Sequence, residues 1–177
     1  MAYTEYQSGL TLSNAQAITT SVDSTNIYDV TGAGAGNTPV MTGAQGLSNA
    51  LGSDIGVGQS NAQPGVWFVV TTAGTGGAGN TLSCAIQAAP DSGTYTEGTY
   101  TVLSASQAFV GTALTKGTNF WLPVPPVPSN YSGLPRFYKV RYTTVSSMTV
   151  SMSAYLMMNP PNVKSVLEYG NNLPDVY

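Results

Sequence analysis

The sequence predicts an all-β fold in which two sheets pack face to face. Apolar and polar residues alternate with a period of two along most of the chain, which is typical of strands that bury one face. These runs are rich in β-branched and aromatic residues and end at Gly, Pro, Asn or Asp. No segment combines the apolar stripe and the terminal caps that predict a long helix.

Two alternating runs near the end of the chain are the clearest predicted strands. The first, Arg136 to Thr144, places Tyr138 and Tyr142 in the core. Further strands are predicted over residues 16–20, 25–30, 66–72, 82–88, 100–104 and 118–122. A total of about eight short strands indicates a sandwich of the jelly-roll kind. In the second run, the residues that share the apolar face are Met148, Val150, Met152, Ala154 and Leu156.

The predicted organisation is one domain with two arms, which suits a chain of 177 residues. Residues 13–158 form the sandwich, and residues 1–12 and 159–177 form extended N- and C-terminal arms. A glycine-rich insertion at about residues 32–58 contains little that can pack, so it predicts a long surface excursion. The proline-rich residues 123–128 predict a polyproline segment that ends a strand.

The composition argues against catalysis. The chain has no His, one Cys, five Lys and Arg together, and eight Asp and Glu together. Enzymes transfer protons with such groups held in perturbed environments. We therefore expect a protein that is not an enzyme, without catalytic residues, cofactor or metal.

The charge and the hydropathy pattern also limit the partners that we expect. The net charge of −3 argues against a nucleic-acid partner, which requires clustered Lys and Arg. The sequence shows neither a signal peptide nor an apolar stretch long enough to cross a bilayer. We therefore expect synthesis in the cytoplasm and no membrane partner.

Three local features have structural interpretations that we favour. Residues 74–79 match the Gly-x-Gly-x-x-Gly pattern of dinucleotide-binding loops, but Asn80 leads into a strand and not a helix. The sequence there predicts a glycine-rich hairpin loop. Asp91 and Glu97 predict a solvated hairpin tip, with a calcium loop or a pair of catalytic acids as the alternatives. Cys84 lies in a predicted strand and is expected to be a buried structural thiol.

Tyrosines and basic side chains are the candidates for contact with a partner. Tyr offers a large contact area, and its hydroxyl tolerates a partly hydrated site. Arg136, Lys139 and Arg141 lie in one strand, where such charges protect a sheet face or edge from aggregation. Contact with an acidic protein surface is the alternative for these three. The partner-contact candidates are Tyr3, Tyr6, Lys139, Arg141, Leu167, Tyr169, Leu173 and Tyr177.

Five sequence blocks follow one another along the chain. They are LSNAQAIT (12–19), STNIYDV (24–30), DIGVG (54–58), WLPVP (121–125) and RFYKVRY (136–142). Their order and spacing, over about residues 10–156, resemble the capsid cement (decoration) proteins of tailed bacteriophages, of the type described for a Bordetella phage. The stretch at residues 32–51 is longer than the resemblance leads us to expect, and the tail beyond Asn159 is an addition.

This resemblance implies a jelly-roll sandwich that decorates the outer surface of a phage head. It implies a structural protein that clamps neighbouring major capsid protein subunits and stabilises the DNA-filled head. The expected location is the outer capsid surface of the virion, and the expected partners are the major capsid protein and further copies of this chain, as a homodimer or homotrimer.

The alternative is a carbohydrate-binding sandwich of a phage fibre or surface protein, with Trp67 or Trp121 stacked on a sugar ring. Both Trp residues lie in apolar runs, so we expect instead that they are buried in the core. A third interpretation, a hydrolase, requires a cluster of carboxylates with perturbed pKa values that only the fold can reveal.

Overall fold

The computed structural model describes residues 11–29, 65–93, 96–125 and 135–157. These residues form ten β-strands and one short 3-10 turn, Gly111–Ala113. The strands are β1 (Thr11–Ile18), β2 (Val22–Asp23), β3 (Tyr28–Asp29), β4 (Gly65–Thr75), β5 (Thr81–Pro90), β6 (Thr101–Ala105), β7 (Phe109–Val110), β8 (Asn119–Pro123), β9 (Pro135–Val145) and β10 (Thr149–Met157).

The strands are arranged in two antiparallel sheets. Sheet A has the order β1-β10-β4-β8. Sheet B has β9 and β5 at its centre, with β2 and β3 paired along β9 and with β6 and β7 paired along β5. The prediction of an all-β, two-sheet sandwich is confirmed. The finer jelly-roll assignment stays a prediction, with which this strand order is compatible.

The core lies between the two sheets and is built from every second residue of the central strands. In sheet A, β4 contributes Val66, Phe68 and Val70, each at most 1% exposed. Phe68 stacks on Phe120 of β8 with ring centroids 4.7 Å apart, and its ring meets Tyr142 of sheet B edge-on at 6.4 Å. The predicted inward faces of β9 and β10 are confirmed, because all the residues assigned to them are buried.

The N-terminal strand begins earlier than the sequence predicts. It starts at Thr11 and not at Gln16, so Leu12, which we assigned to the arm, is a core residue with 1% exposure. The alternation of β1 is interrupted by a register shift between Ser13 and Gln16, where Ala15 has a φ of 45°. A pattern with a period of two cannot show a strand that contains such a bulge.

The strand predicted over residues 25–30 begins later in the structure, where β3 comprises Tyr28 and Asp29. Ser24 bends the chain between β2 and β3: its Oγ accepts a hydrogen bond from the Val140 N–H at 3.0 Å and donates one to the Asn26 carbonyl at 2.8 Å. The local hydrogen bond from Ser24 to Asn26 fixes a bend at the start of the predicted strand, so within it the described pairing with β9 begins only at Tyr28.

The prediction of a glycine-rich hairpin over residues 74–79 is wrong. This connection runs from β4 in sheet A to β5 in sheet B, so it crosses between the sheets and joins no paired strands. Its turn is fixed by Asn80, whose Oδ1 accepts a hydrogen bond from the Gly77 N–H at 2.9 Å. As predicted, a strand and not a helix follows, since β5 begins at Thr81.

Cys84 is buried as predicted, with no exposed surface, and burial raises the pKa of its thiol. The glycine-rich insertion, the C-terminal arm, most of the N-terminal arm and the later prolines of the polyproline segment lie outside the described residues.

Candidate binding face on sheet A

The charged residues of the sandwich are distributed unevenly between its two sheets. The four strands of sheet A contain no Asp, Glu, Lys or Arg. The strands of sheet B, in contrast, carry Asp23, Asp29, Arg136, Lys139 and Arg141. The two outer faces therefore offer different chemistry to a partner.

Three aromatic side chains form one row across the outer face of sheet A. Tyr155 of β10 is the register partner of Trp67 in β4, and Trp67 is in turn the register partner of Trp121 in β8. Directly opposed residues share one face of a sheet, and the neighbours Val66 and Phe68 point into the core, so this row faces outward. We call Tyr155, Trp67 and Trp121 the aromatic row.

The aromatic row is partly exposed and closely packed. The ring centroids of Trp67 and Tyr155 lie 6.0 Å apart, and the ring planes are inclined by 37°. All three residues are half-buried. The strands hold this row in place, because each of its residues lies within a paired segment of the sheet.

The expectation that Trp67 and Trp121 are buried in the core is wrong. The segment from Val66 to Val70 is apolar at every position, so its sequence does not tell which face is inward. The packing of β4 in the sandwich determines which face is inward: Val66 and Phe68 lie in the core, and Trp67 lies on the outer face. Tyr155 was missed as a site residue, although its position on the polar face of a predicted strand was a signal that could have found it.

Trp121 rests against Gly65 of the neighbouring strand. A Cβ atom at Gly65 would lie 2.4 Å from Cζ2 and 2.6 Å from Cε2 of Trp121. The indole thus occupies the space that a side chain at this position would take, and it lies over the β4 backbone. Because Gly65 has no side chain, the ring can approach the sheet closely.

Lys139 and Arg141 are the only predicted partner-contact residues within the described part of the chain. Both lie on the outer face of sheet B, on its central strand β9 and thus not at an edge. Lys139 Nζ is 2.7 Å from Asp23 Oδ2, and Arg141 Nη1 is 2.9 Å from Asp23 Oδ1. Lys139 Nζ also lies 3.7 Å from the centroid of the Tyr100 ring. Their acidic partner is therefore within this chain. The candidates outside the described residues are Tyr3, Tyr6, Leu167, Tyr169, Leu173 and Tyr177.

These basic groups change the acidity of Asp23. Burial alone raises the pKa of its carboxyl, but the hydrogen bonds and charges of Lys139 and Arg141 together outweigh that effect, so the net pKa is lowered. Asp23 therefore stays ionised and holds the two cations on the face of sheet B.

Arg136 does not protect a sheet face or edge, the role that we favoured for it, because it is buried in ion pairs. Its Nε and Nη2 atoms each lie 2.8 Å from a carboxylate oxygen of Asp29, and Nη1 donates to Asp91. The Arg136 side chain is 10% exposed. Its hydrogen bonding to the Asp29 carboxylate is the main cause of a raised Arg136 pKa. We call the ion pairs of Arg136 with Asp29 and Asp91 the Arg136 fork, which joins β3, β9 and the β5–β6 connection.

The predicted hairpin tip between β5 and β6 is confirmed as a connection of paired strands, but Asp91 is not simply solvated. Its carboxylate accepts hydrogen bonds from the Gly93 and Thr96 amides and from Arg136. The Gly93 amide is the largest single influence on the Asp91 pKa, which these donors together lower. Glu97 accepts a hydrogen bond from the Tyr100 hydroxyl at 2.9 Å.

The residues that the structure describes bring together no group of three or more His, Cys, Asp or Glu side chains that could hold a metal ion. They also contain no helix that is long and apolar enough to span a membrane.

No protein-family model matches the sequence, and no curated protein is significantly similar to it.

Proposed function

We propose that the protein is a structural component of a phage virion. It binds the outer surface of the capsid, cements neighbouring major capsid protein subunits and thereby stabilises the DNA-filled head. The sequence resemblance motivates this proposal. The structural observation that carries it is the use of charged side chains as internal ties of a rigid β-sandwich.

The ties involve six ionisable residues, which interact with one another. The Arg136 fork binds Asp29 and Asp91, and Asp23 binds Lys139 and Arg141. Groups held in this way are suited to fixing strands in place, since a catalytic acid or base must be able to exchange its proton during turnover. A sandwich held together in this manner suits a role that depends on shape and contact.

Cementing also requires contact with more than one shell subunit. In this proposal the arms make that contact, through tyrosines and aliphatic residues that combine large contact area with low charge. A homodimer or homotrimer that touches several capsid subunits gains avidity, because the second contact forms at a high effective concentration.

Virions of the phage that encodes this chain provide the test. We expect mass spectrometry of gradient-purified particles to detect the chain in amounts comparable to the major capsid protein, and cryo-electron microscopy to show it outside the shell. Its absence from purified virions would falsify the proposal.

A truncated chain tests the role of the arms. Deletion of residues 159–177 should leave the melting temperature of the sandwich unchanged and lower its occupancy on heads that lack the full-length protein. The control is full-length protein added to the same heads. Equal occupancy of both forms would show that the C-terminal arm does not contribute to attachment.

A further inference from the structure

We propose that the outer face of sheet A binds a neutral glycan, with the aromatic row as its stacking platform. This inference goes beyond the cementing role and does not depend on it. It rests on the register of three strands, the position of the Trp121 indole against Gly65 and the absence of charged residues from the strands of sheet A.

The row has a length that fits linked sugar rings. Tyr155, Trp67 and Trp121 occupy matching register positions on three neighbouring strands. Because such strands lie about 4.8 Å apart, the row extends over about 10 Å, which is similar to the length of a disaccharide. The strand pairing fixes this spacing before a ligand arrives, so little ordering is needed on binding.

The position of Trp121 favours stacking. Its Cζ2 and Cε2 atoms occupy the space above Gly65 that a side chain would fill, so the ring is held close to the β4 backbone and stays partly exposed on the outer face. The face of an aromatic ring carries partial negative charge. It attracts the weakly positive C–H groups on the apolar side of a pyranose ring.

The neighbouring row supplies a polar group. Asn119, directly opposite Val69, is exposed, and its Nδ2 donates to the Gly117 carbonyl at 3.1 Å. That hydrogen bond orients the amide, whose Oδ1 can accept a hydrogen bond from a sugar hydroxyl. An apolar platform with a few oriented polar groups is the usual composition of a small-ligand site.

The charge distribution selects a neutral ligand. No strand of sheet A contains an ionisable Asp, Glu, Lys or Arg. An anionic sugar would lose hydration on this face and would meet no compensating cation on those strands. Neutral hexose or pentose polymers avoid that cost.

The remaining outward residues of β10 add hydroxyl groups to this face. On β10 the partly or fully exposed positions that share the outer face with Tyr155 are Thr149, Ser151 and Met157, whereas Ser153 is buried and its Oγ accepts a hydrogen bond from the Ala15 amide. The face of sheet A thus has the hydroxyl-rich and aromatic character that suits sugar hydroxyls and ring faces.

Binding of purified full-length protein to soluble neutral polysaccharides (glucan, mannan and xylan) tests this proposal by affinity electrophoresis, with polygalacturonate as the anionic comparison. We expect retardation by at least one neutral polymer. Trp121→Ala and Trp67→Ala should each weaken it by about tenfold, which corresponds to the loss of one aromatic stacking contact. Val102→Ala is the matched control, because Val102 is 51% exposed but lies in sheet B.

Two further measurements keep the test independent of folding. Thermal unfolding identifies a variant that is merely unstable, and Asn119→Ala changes an exposed side chain and should weaken binding severalfold while the protein stays folded. In the wild-type protein, the bound polysaccharide should reduce quenching of Trp fluorescence by acrylamide. The proposal is overturned if no neutral polymer binds, if the protein prefers polygalacturonate, or if wild type and both Trp variants bind equally. It is also overturned if Trp121→Ala changes only the mass of the oligomer and leaves polysaccharide binding as in wild type.

Discussion

Tyr142 and Ser13 connect the two sheets through a hydrogen bond inside the core. The Tyr142 hydroxyl on β9 donates to Ser13 Oγ on β1 at 2.9 Å, and neither residue has exposed surface. Ser13 Oγ in turn donates to Gln16 Oε1 at 2.8 Å. The irregularity of β1 at Ala15 accompanies this arrangement, because the register shifts between Ser13 and Gln16. The bulge thus belongs to a buried polar link between the sheets.

The two ends of this hydrogen bond should respond differently to deletion. Tyr142→Phe should lower the free energy of unfolding by about 1 kcal/mol, since Ser13 can still donate to Gln16. Ser13→Ala should cost about 1–3 kcal/mol, because it leaves a buried phenol hydroxyl without its partner. Urea unfolding measures both values. The double variant should cost less than the sum of the single changes, and strict additivity would contradict coupling between the two residues.

A second prediction concerns the Arg136 fork. Arg136→Gln should lower the free energy of unfolding by about 3–5 kcal/mol, because it leaves the Asp29 carboxylate, 1% exposed, without its charged partner. Arg141→Gln is the control: that side chain is 38% exposed, and its loss should cost less than about 1 kcal/mol. Chemical unfolding of the two variants makes the comparison. Similar costs for both changes would show that burial does not strengthen the fork.

The third prediction is a loss of stability in alkali. Burial, followed by the charges of Tyr138 and Asp29, raises the pKa of Tyr28 from 10.0 to about 12. Between these values the unfolded chain has released the proton and the native state still holds it. The unfolded state then binds fewer protons, so stability falls as pH rises through this window and is unaffected by Tyr28 below it.

The size of the alkaline effect can be checked with one variant. A shift of that size corresponds to about 2–3 kcal/mol for Tyr28. Unfolding free energies measured at several pH values from neutral to strongly alkaline should therefore decline more steeply in wild type than in Tyr28→Phe. Tyr142, whose pKa burial also raises, contributes a decline of the same sign in both proteins. Parallel curves would mean that Tyr28 titrates normally in the folded protein.

Local patterns predicted the sandwich well where one face of a strand is polar. The alternation from Met148 to Leu156 identified the inward face of β10, because Ser and Thr mark its other side. The same reasoning failed for Trp67, whose strand is apolar on both faces. It also failed for Leu12, since the bulge at Ala15 interrupts the period.

The candidate site depends on contacts between distant parts of the sequence. Trp67 and Trp121 become neighbours only because β4 and β8 pair in one particular register. Asp29 and Arg136 are separated by 107 positions, so no local motif indicates their ion pair. Sequence reasoning could propose the residue types that matter, but the pairing of non-consecutive strands decides which of them meet.

The final prediction tests the contact between the Trp121 indole and Gly65 of β4. In Gly65→Ala the new Cβ would lie 2.4 Å from Trp121 Cζ2 and 2.5 Å from the Leu122 carbonyl oxygen, so both the indole and the β8 backbone must move. We expect a loss of about 1–3 kcal/mol, as for other substitutions that overfill a packed site. In a Trp67→Phe background, which leaves Trp121 as the single tryptophan, the emission of Trp121 should shift because its ring is displaced.

Gly79→Ala is the matched control for this change. A Cβ at Gly79 meets nothing within 4 Å, so its effect on stability should stay within about 0.5 kcal/mol and Trp emission should not change. If Gly65→Ala proves as stable as Gly79→Ala and leaves the emission unaltered, the indole does not rest on the β4 backbone. The stacking geometry inferred for the aromatic row would then have to be abandoned, because it requires that the Trp121 ring is held close to the β4 backbone.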